Sequence, residues 1–253
     1  MTGRAAVILT ALFAVVPLTT SCSAQRAPVA DSSAAPAATS AASSPQPAFP
    51  TCAPAQAEQI RVPVDGGILV VGMLGSGTRV VILSNQSDED LCSWVPFANR
   101  LVGLGYRVAL WNYDAGTSTD ALTAIVTAVR QAGAQRIVLI GASKGAKASL
   151  IVGAHVTPPV QGVVSLSAEE RIGNKPVAPE LRTMSCPVLL VTAESAYADA
   201  DAAKTFLATV PSHDRQLVSV PGSDHGTALL SGAQSGTVTA AIDRFLKRTL
   251  GAT

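Results

Sequence analysis

Charge is scarce in this chain. Only 14% of its 253 residues are charged, and 18 Lys+Arg against 17 Asp+Glu leave a formal net charge of +1 with no block of like charge. A nucleic-acid partner is therefore not expected, because the basic footprint that neutralises phosphates is missing. Histidine is scarcer still: His155, His213 and His225 stand far apart, and the four cysteines form no C-x-x-C knuckle. The ligand spacing of a structural zinc site is absent, so no metal or other cofactor is expected. The N-terminal apolar run, Ala5 to Leu18, falls short of the ~20 residues that span a bilayer. Internal repeats are absent. Gly72-Met73-Leu74-Gly75-Ser76-Gly77 is followed by a strand pattern, not a helix, and Gly141 to Ser149 lacks the Gly-Lys-Ser/Thr ending of a phosphate loop.

What is present begins with an export pattern. Arg4 precedes the apolar run, the order expected of a secretory signal over residues 1–21. The segment closes as Leu18-Thr19-Thr20-Ser21-Cys22, which resembles a bacterial lipobox. That resemblance implies lipid attachment at Cys22 and a protein tethered to the outer face of a cell membrane. Leu18 lies four residues before the cysteine where the pattern has its aliphatic residue at three, so a plain secretory signal is the competing reading. Residues 22–57 are rich in Ala, Ser, Pro and Thr with one aromatic, Phe49. Such a composition buries too little apolar surface to offset ordering entropy, and a disordered tether is expected. Cys52, Cys92 and Cys186 remain, an odd number in an oxidising compartment. A Cys52–Cys92 bridge would pin the end of the tether to the domain and leave one buried thiol.

Residues 58–253 form the expected folded domain. Apolar strand-like runs alternate with longer helical patterns, which predicts an α/β fold: a mostly parallel central sheet of about eight strands flanked by helices. The strand runs are Ile60–Val64, Ile68–Met73, Val80–Ser84, Arg107–Trp111, Ile137–Ile140, Val160–Leu166, Val188–Val191 and Leu217–Val220. Asp65-Gly66-Gly67 between the first two is a hairpin signal, so the sheet should open antiparallel. Helical patterns fall at Trp94–Leu104, Ser118–Ala132, Lys144–Gly153, Ala200–Val210 and Ser235–Leu250. In the last, Val238, Ala241, Ile242, Phe245 and Leu246 recur at the spacing of one buried face.

Two motifs carry chemistry. Gly141-Ala142-Ser143-Lys144-Gly145 falls between a predicted strand and a predicted helix. A serine in that sharp turn presents its oxygen at the carboxyl edge of the sheet, the small flanking residues let the turn close, and the helix N-terminus favours developing negative charge. After the final strand, Ser223-Asp224-His225-Gly226 places an imidazole in a loop at the same edge, where it could serve Ser143 as a base. His155 and His213 read as surface or helix-end residues.

With these residues in place, the stretch from Val62 to Leu250 resembles the α/β-hydrolase family, in its small, lidless, dienelactone-hydrolase-like branch. Ser84-Asn85-Gln86-Ser87 and Leu91-Cys92-Ser93-Trp94 support the likeness. The resemblance implies a Ser143 nucleophile, a His225 base, and oxyanion-hole N–H groups on Gln86 and Lys144. It further implies an orienting carboxylate after the strand ending at Val191-Thr192, where the chain instead has Ser195 or Ala196. Glu194 or Asp199 would have to supply it: Glu194 is favoured, being nearer the strand end and having the longer reach, whereas Asp199 could simply cap the following helix. Glu169 and Glu170 rank behind them. Asp224 is expected to point away and Asp114 to stabilise its own turn. The implied activity is that of an exported serine esterase acting on small or exposed acyl esters, since the roughly twenty residues between Leu166 and Cys186 are too few for a cap domain. The alternatives are a non-catalytic binding lipoprotein of the same fold, or an acyltransferase.

Overall fold

In the computed structural model, residues 49–54, 57–113 and 118–251 are described. The signal segment, Cys22 and Asp114 lie outside them. The chain builds strands β1 (Glu58–Val64), β2 (Gly67–Leu74), β3 (Arg79–Ser84), β4 (Arg107–Leu110), β5 (Arg136–Ala142), β6 (Gly162–Leu166), β7 (Arg171–Ile172), β8 (Lys175–Pro176), β9 (Val188–Ala193) and β10 (Arg215–Val220). The helices are α1 (Val95–Gly103), α2 (Ser118–Gln131), α3 (Lys144–His155), α4 (Tyr197–Thr209) and α5 (Ser235–Leu250).

Eight strands form one sheet in the order β1-β2-β4-β3-β5-β6-β9-β10. β1 and β2 pair antiparallel around Asp65-Gly66, β2 meets β4 antiparallel, and every pairing from β4 to β10 is parallel. This is the mostly parallel sheet that the alternation of strand and helix patterns predicts. Its central strands are apolar on both faces because both are covered. Ile82, Leu139, Val163 and Leu190 pack under α2, α3 and α4. Val81, Ile140, Val164 and Val191 pack under α1 and α5. In α5, Val238, Ala241, Ile242, Phe245 and Leu246 are all buried, as their spacing requires.

Three departures from the sequence reading bear on the site. α4 begins at Tyr197 rather than Ala200, which moves Asp199 from a capping position into the first helical turn. The short antiparallel hairpin β7–β8 fills part of the connection after β6, where no structure was expected. The third concerns the expected tether. Within it, Phe49 is half-buried against the α1/α5 face of the core, and its ring occupies the space over Gly72. Cys52 bridges to Cys92, with 5.7 Å between their Cα atoms. An aromatic contact and a covalent link offset the ordering cost that composition alone leaves uncompensated. Cys186 is the buried free thiol, its pKa pushed up to about 11 by burial.

Candidate active site

Parallel strands end together at one edge of the sheet, and the connections after β3, β5, β6, β9 and β10 meet there. Ser143 sits between β5 and α3 with φ 47° and ψ −110°, an unfavourable backbone for any residue but glycine. Its N–H donates to the Leu166 carbonyl at 2.9 Å and its carbonyl accepts from Lys147 N–H at 3.0 Å, so neighbouring β6 and the new helix hold the turn. The two glycines of the motif are dictated by close packing. A Cβ on Gly141 would lie 2.6 Å from the Ala146 nitrogen, and one on Gly145 would lie 2.6 Å from the Ser84 carbonyl carbon. Gly145 thus lets the loop after β3 lie directly against the start of α3. Gln86 and Lys144, the residues whose amides the resemblance assigns to an oxyanion hole, belong to these two abutting segments.

The loop after β3 is internally braced. Asn85 Nδ2 donates to the carbonyls of Gln86 and Glu89, at 3.3 and 2.5 Å, and Asp90 Oδ1 accepts the Cys92 N–H at 2.8 Å, where a short 3-10 turn over Leu91–Trp94 begins. It is also tied across to the histidine loop. Gln86 Oε1 accepts the Thr227 N–H at 3.1 Å, and Thr227 Oγ1 donates to Glu89 Oε2 at 2.7 Å. Gly226 follows His225 because a side chain would overlap Gln86. A Cβ there would also lie 3.4 Å from that of Ala142, the residue before Ser143, so the two motifs are packed side by side.

His225 Nδ1 is hydrogen-bonded to Asp199 Oδ2 at 2.7 Å. Asp199 is 6% exposed and the imidazole 39% exposed. A carboxylate only accepts here, so Nδ1 carries the proton and Nε2 is left with its lone pair. The hydrogen bond that His225 donates to Asp199 raises the His225 pKa above its ordinary 6.5; burial opposes this, and the charges of Asp199, Glu169 and Asp88 add to the rise.

Of the two carboxylates weighed from the sequence, the structure brings Asp199 to His225, not the favoured Glu194. Glu194 is exposed as the first residue after β9, its N–H spent on the Val220 carbonyl. The physical reason is the early start of α4: the first turn swings Asp199 back toward the sheet edge, whereas Glu194 leaves the strand facing solvent. Glu169 pairs with Lys147 Nζ at 2.5 Å. His155 pairs with Glu180 on the surface, and His213 is exposed. Lys144 Nζ lies 4.3 Å from the centroid of the Tyr113 ring, which itself meets Trp111 edge-on at 4.5 Å. Lys144 lines two hollows, one of about 240 Å³ with Asn85, Asn112 and Tyr113, and one of about 540 Å³ with Ile151, Ile172 and Lys175. Among the described residues, no cluster of His, Cys, Asp and Glu could hold a metal ion. Sequence reasoning missed Thr227 and Ser167, which bond the histidine loop; hydroxyl residues in loops carry no periodic signal.

No protein-family model matches the chain, and no curated protein matches its sequence. Solved structures do match. The esterase Pf2001 of Pyrococcus furiosus superposes with a TM-score of 0.65 at 14% identity, covering 78% of this chain and 92% of that one. A monoacylglycerol lipase of Paleococcus ferrophilus gives 0.61 at 13% identity over 70% and 98% of the two chains. The dienelactone hydrolase of Anabaena variabilis gives 0.59 at 16% identity over 76% and 97%. The chain has the α/β-hydrolase fold.

Proposed function

We propose that this chain is a serine ester hydrolase acting on small or exposed acyl esters. The observation that carries the reading is the Asp199–His225 bond, held in a loop that packs against the residues flanking Ser143. The esterases, lipase and hydrolase that share the fold support it by analogy. In the reaction, His225 Nε2 takes the Ser143 proton as Oγ adds to the ester carbonyl, and Asp199 stabilises the imidazolium that forms. The Gln86 and Lys144 amides hold the oxyanion, each contributing about 3 kcal/mol on the scale of such donors. The imidazolium returns its proton to the departing alkoxide, leaving an acyl-serine. Water, deprotonated by the same imidazole, then releases the acid. The hollow of about 540 Å³ beside Lys144, part apolar and part polar, suits a short acyl or alcohol portion.

Serine-directed fluorophosphonate labelling and p-nitrophenyl acetate cleavage test this together. The wild-type protein should show both and Ser143→Ala neither. A wild type inert in both assays, or a Ser143→Ala variant that retains either, overturns the reading.

The same proposal places the protein outside the cytoplasm with a lipid on Cys22. The Cys52–Cys92 bridge supports an oxidising compartment. Cys22→Ala should move the protein from the membrane fraction to the soluble exported fraction.

A further inference from the structure

Among the described residues, two that are not glycine adopt positive φ: Ser143 and Ser167. The first is explained by its place in the turn before α3. The second has no part in the reaction as derived. Ser167 follows β6 with φ 55° and is wholly buried. A backbone in that region is unfavourable for a serine and persists only where the surroundings enforce it, which makes it a pointer to function. Two bonds fix Ser167. Its N–H donates to the Val191 carbonyl at 2.9 Å, and its Oγ accepts the Gly226 N–H at 3.1 Å.

That second bond acts on the peptide unit joining His225 to Gly226. The other end of the same unit, the His225 carbonyl, accepts the Ala228 N–H at 3.1 Å. The unit is therefore clamped on both sides, and with it the extended His225 backbone at ψ 139°. The direction in which His225 launches its side chain follows from that ψ. Gly226 is buried, so its N–H has no water to turn to if Oγ is removed.

We infer that Ser167 is a positioning residue for His225, its left-handed backbone serving to deliver Oγ to the Gly226 N–H and so to aim the imidazole between Asp199 and Ser143. The inference rests on the hydrolase reading for its kinetic consequence, but its structural half stands without turnover.

Two substitutions separate this role from mere packing. Ser167→Ala removes Oγ and keeps the unfavourable backbone; Ser167→Gly removes both. Stability should follow the backbone, with Ser167→Gly melting above Ser167→Ala. Activity should follow the oxygen: kcat for p-nitrophenyl acetate falls about ten- to hundred-fold in both variants, with KM within about twofold of wild type, as a displaced catalytic group predicts. Activity in either variant within twofold of wild type, or activity that recovers in Ser167→Gly along with stability, overturns the inference. The imidazole titration of His225, followed by NMR, is read in parallel. Asp199, Glu169 and Asp88, the charged groups that raise it, are unaltered by either substitution. A His225 midpoint that drops in Ser167→Ala supports the positioning role, and an unchanged midpoint overturns it. Should the wild type prove inert toward esters and fluorophosphonate, the hydrolase reading fails while the NMR titration still decides Ser167.

Discussion

At the scale of the residue, Asp199 and His225 carry the sharpest expectations. Converting the carboxylate to an amide keeps the shape but lets Nδ1 lose its acceptor, so the imidazole can take the wrong tautomer. Asp199→Asn should lower kcat/KM on the order of 10³ to 10⁴-fold, as removal of the orienting charge does in a serine protease. Glu194→Gln should stay within about twofold, because Glu194 is exposed and Asp199 is the carboxylate on the imidazole. The pH dependence follows from the raised His225 pKa. The proposed base works only when neutral, so the acid limb of kcat/KM should have its midpoint above pH 6.5, and that midpoint should move down in Asp199→Asn as the hydrogen bond and the charge that hold the proton are lost. Stability runs the other way. A group whose folded pKa is raised stabilises the fold fully below its unfolded value and progressively less as pH rises through the folded value. Urea denaturation should therefore show Asp199→Asn destabilised more at pH 6 than at pH 8.5. The sequence narrowed the acid to these two positions and favoured Glu194 for its reach, whereas the structure puts Asp199 on the imidazole. Helix α4 starts at Ala196-Tyr197 without a side-chain cap, so nothing in the residues themselves announced that Asp199 lies inside the first turn.

At the scale of the element, the glycines of the Ser143 turn can be tested against a glycine that does nothing comparable. Gly145→Ala drives a methyl group into the Ser84 carbonyl and must push the loop after β3 off the start of α3. A loss of about 1 to 3 kcal/mol is expected for such overpacking, together with a fall in kcat as Gln86 and Lys144 separate. Gly236, in the first turn of α5, has nothing within 4 Å of an added Cβ. Gly236→Ala should raise stability by up to about 1 kcal/mol, through helix propensity alone, with no change in kcat. Chemical denaturation of the two variants beside one another checks both signs. Elements were also the most legible part of the chain. Every strand of the main sheet was foreseen because its apolar run is four to eight residues long and bounded by turn residues, and α5 was foreseen to its ends because its buried face repeats cleanly. The β7–β8 hairpin was not, since two paired residues on each side leave no period to detect. The bonds from Thr227 and Ser167 were equally hidden: each joins residues more than fifty apart through one hydroxyl.

At the scale of the whole molecule, the site is a junction of loops carried by hydrogen-bonded parallel strands, and the question is what keeps those loops from drifting apart. The Cys52–Cys92 bridge bears on this because Cys92 lies in the 3-10 turn that ends the loop after β3. The cysteines are 40 residues apart in sequence. Closing a loop of that length restricts the unfolded chain by about 4 kcal/mol in the chain-entropy account. Replacing both cysteines with alanine should accordingly lower the unfolding free energy by several kcal/mol, and reductant should lower the melting temperature of the wild type but not that of the double variant. Activity should respond far less. The loop after β3 keeps its other ties without the bridge: Leu91 N–H to Asn112 Oδ1 at 2.7 Å, Asn85 to Glu89 within the loop, and Thr227 to both Gln86 and Glu89. The bridge acts chiefly on the unfolded state, whereas those bonds act on the geometry of the folded one. Well below its melting temperature, the double variant should therefore retain kcat within about threefold of wild type. A collapse of kcat on reduction at a temperature where the fold persists would instead make the bridge a part of the site's own scaffold.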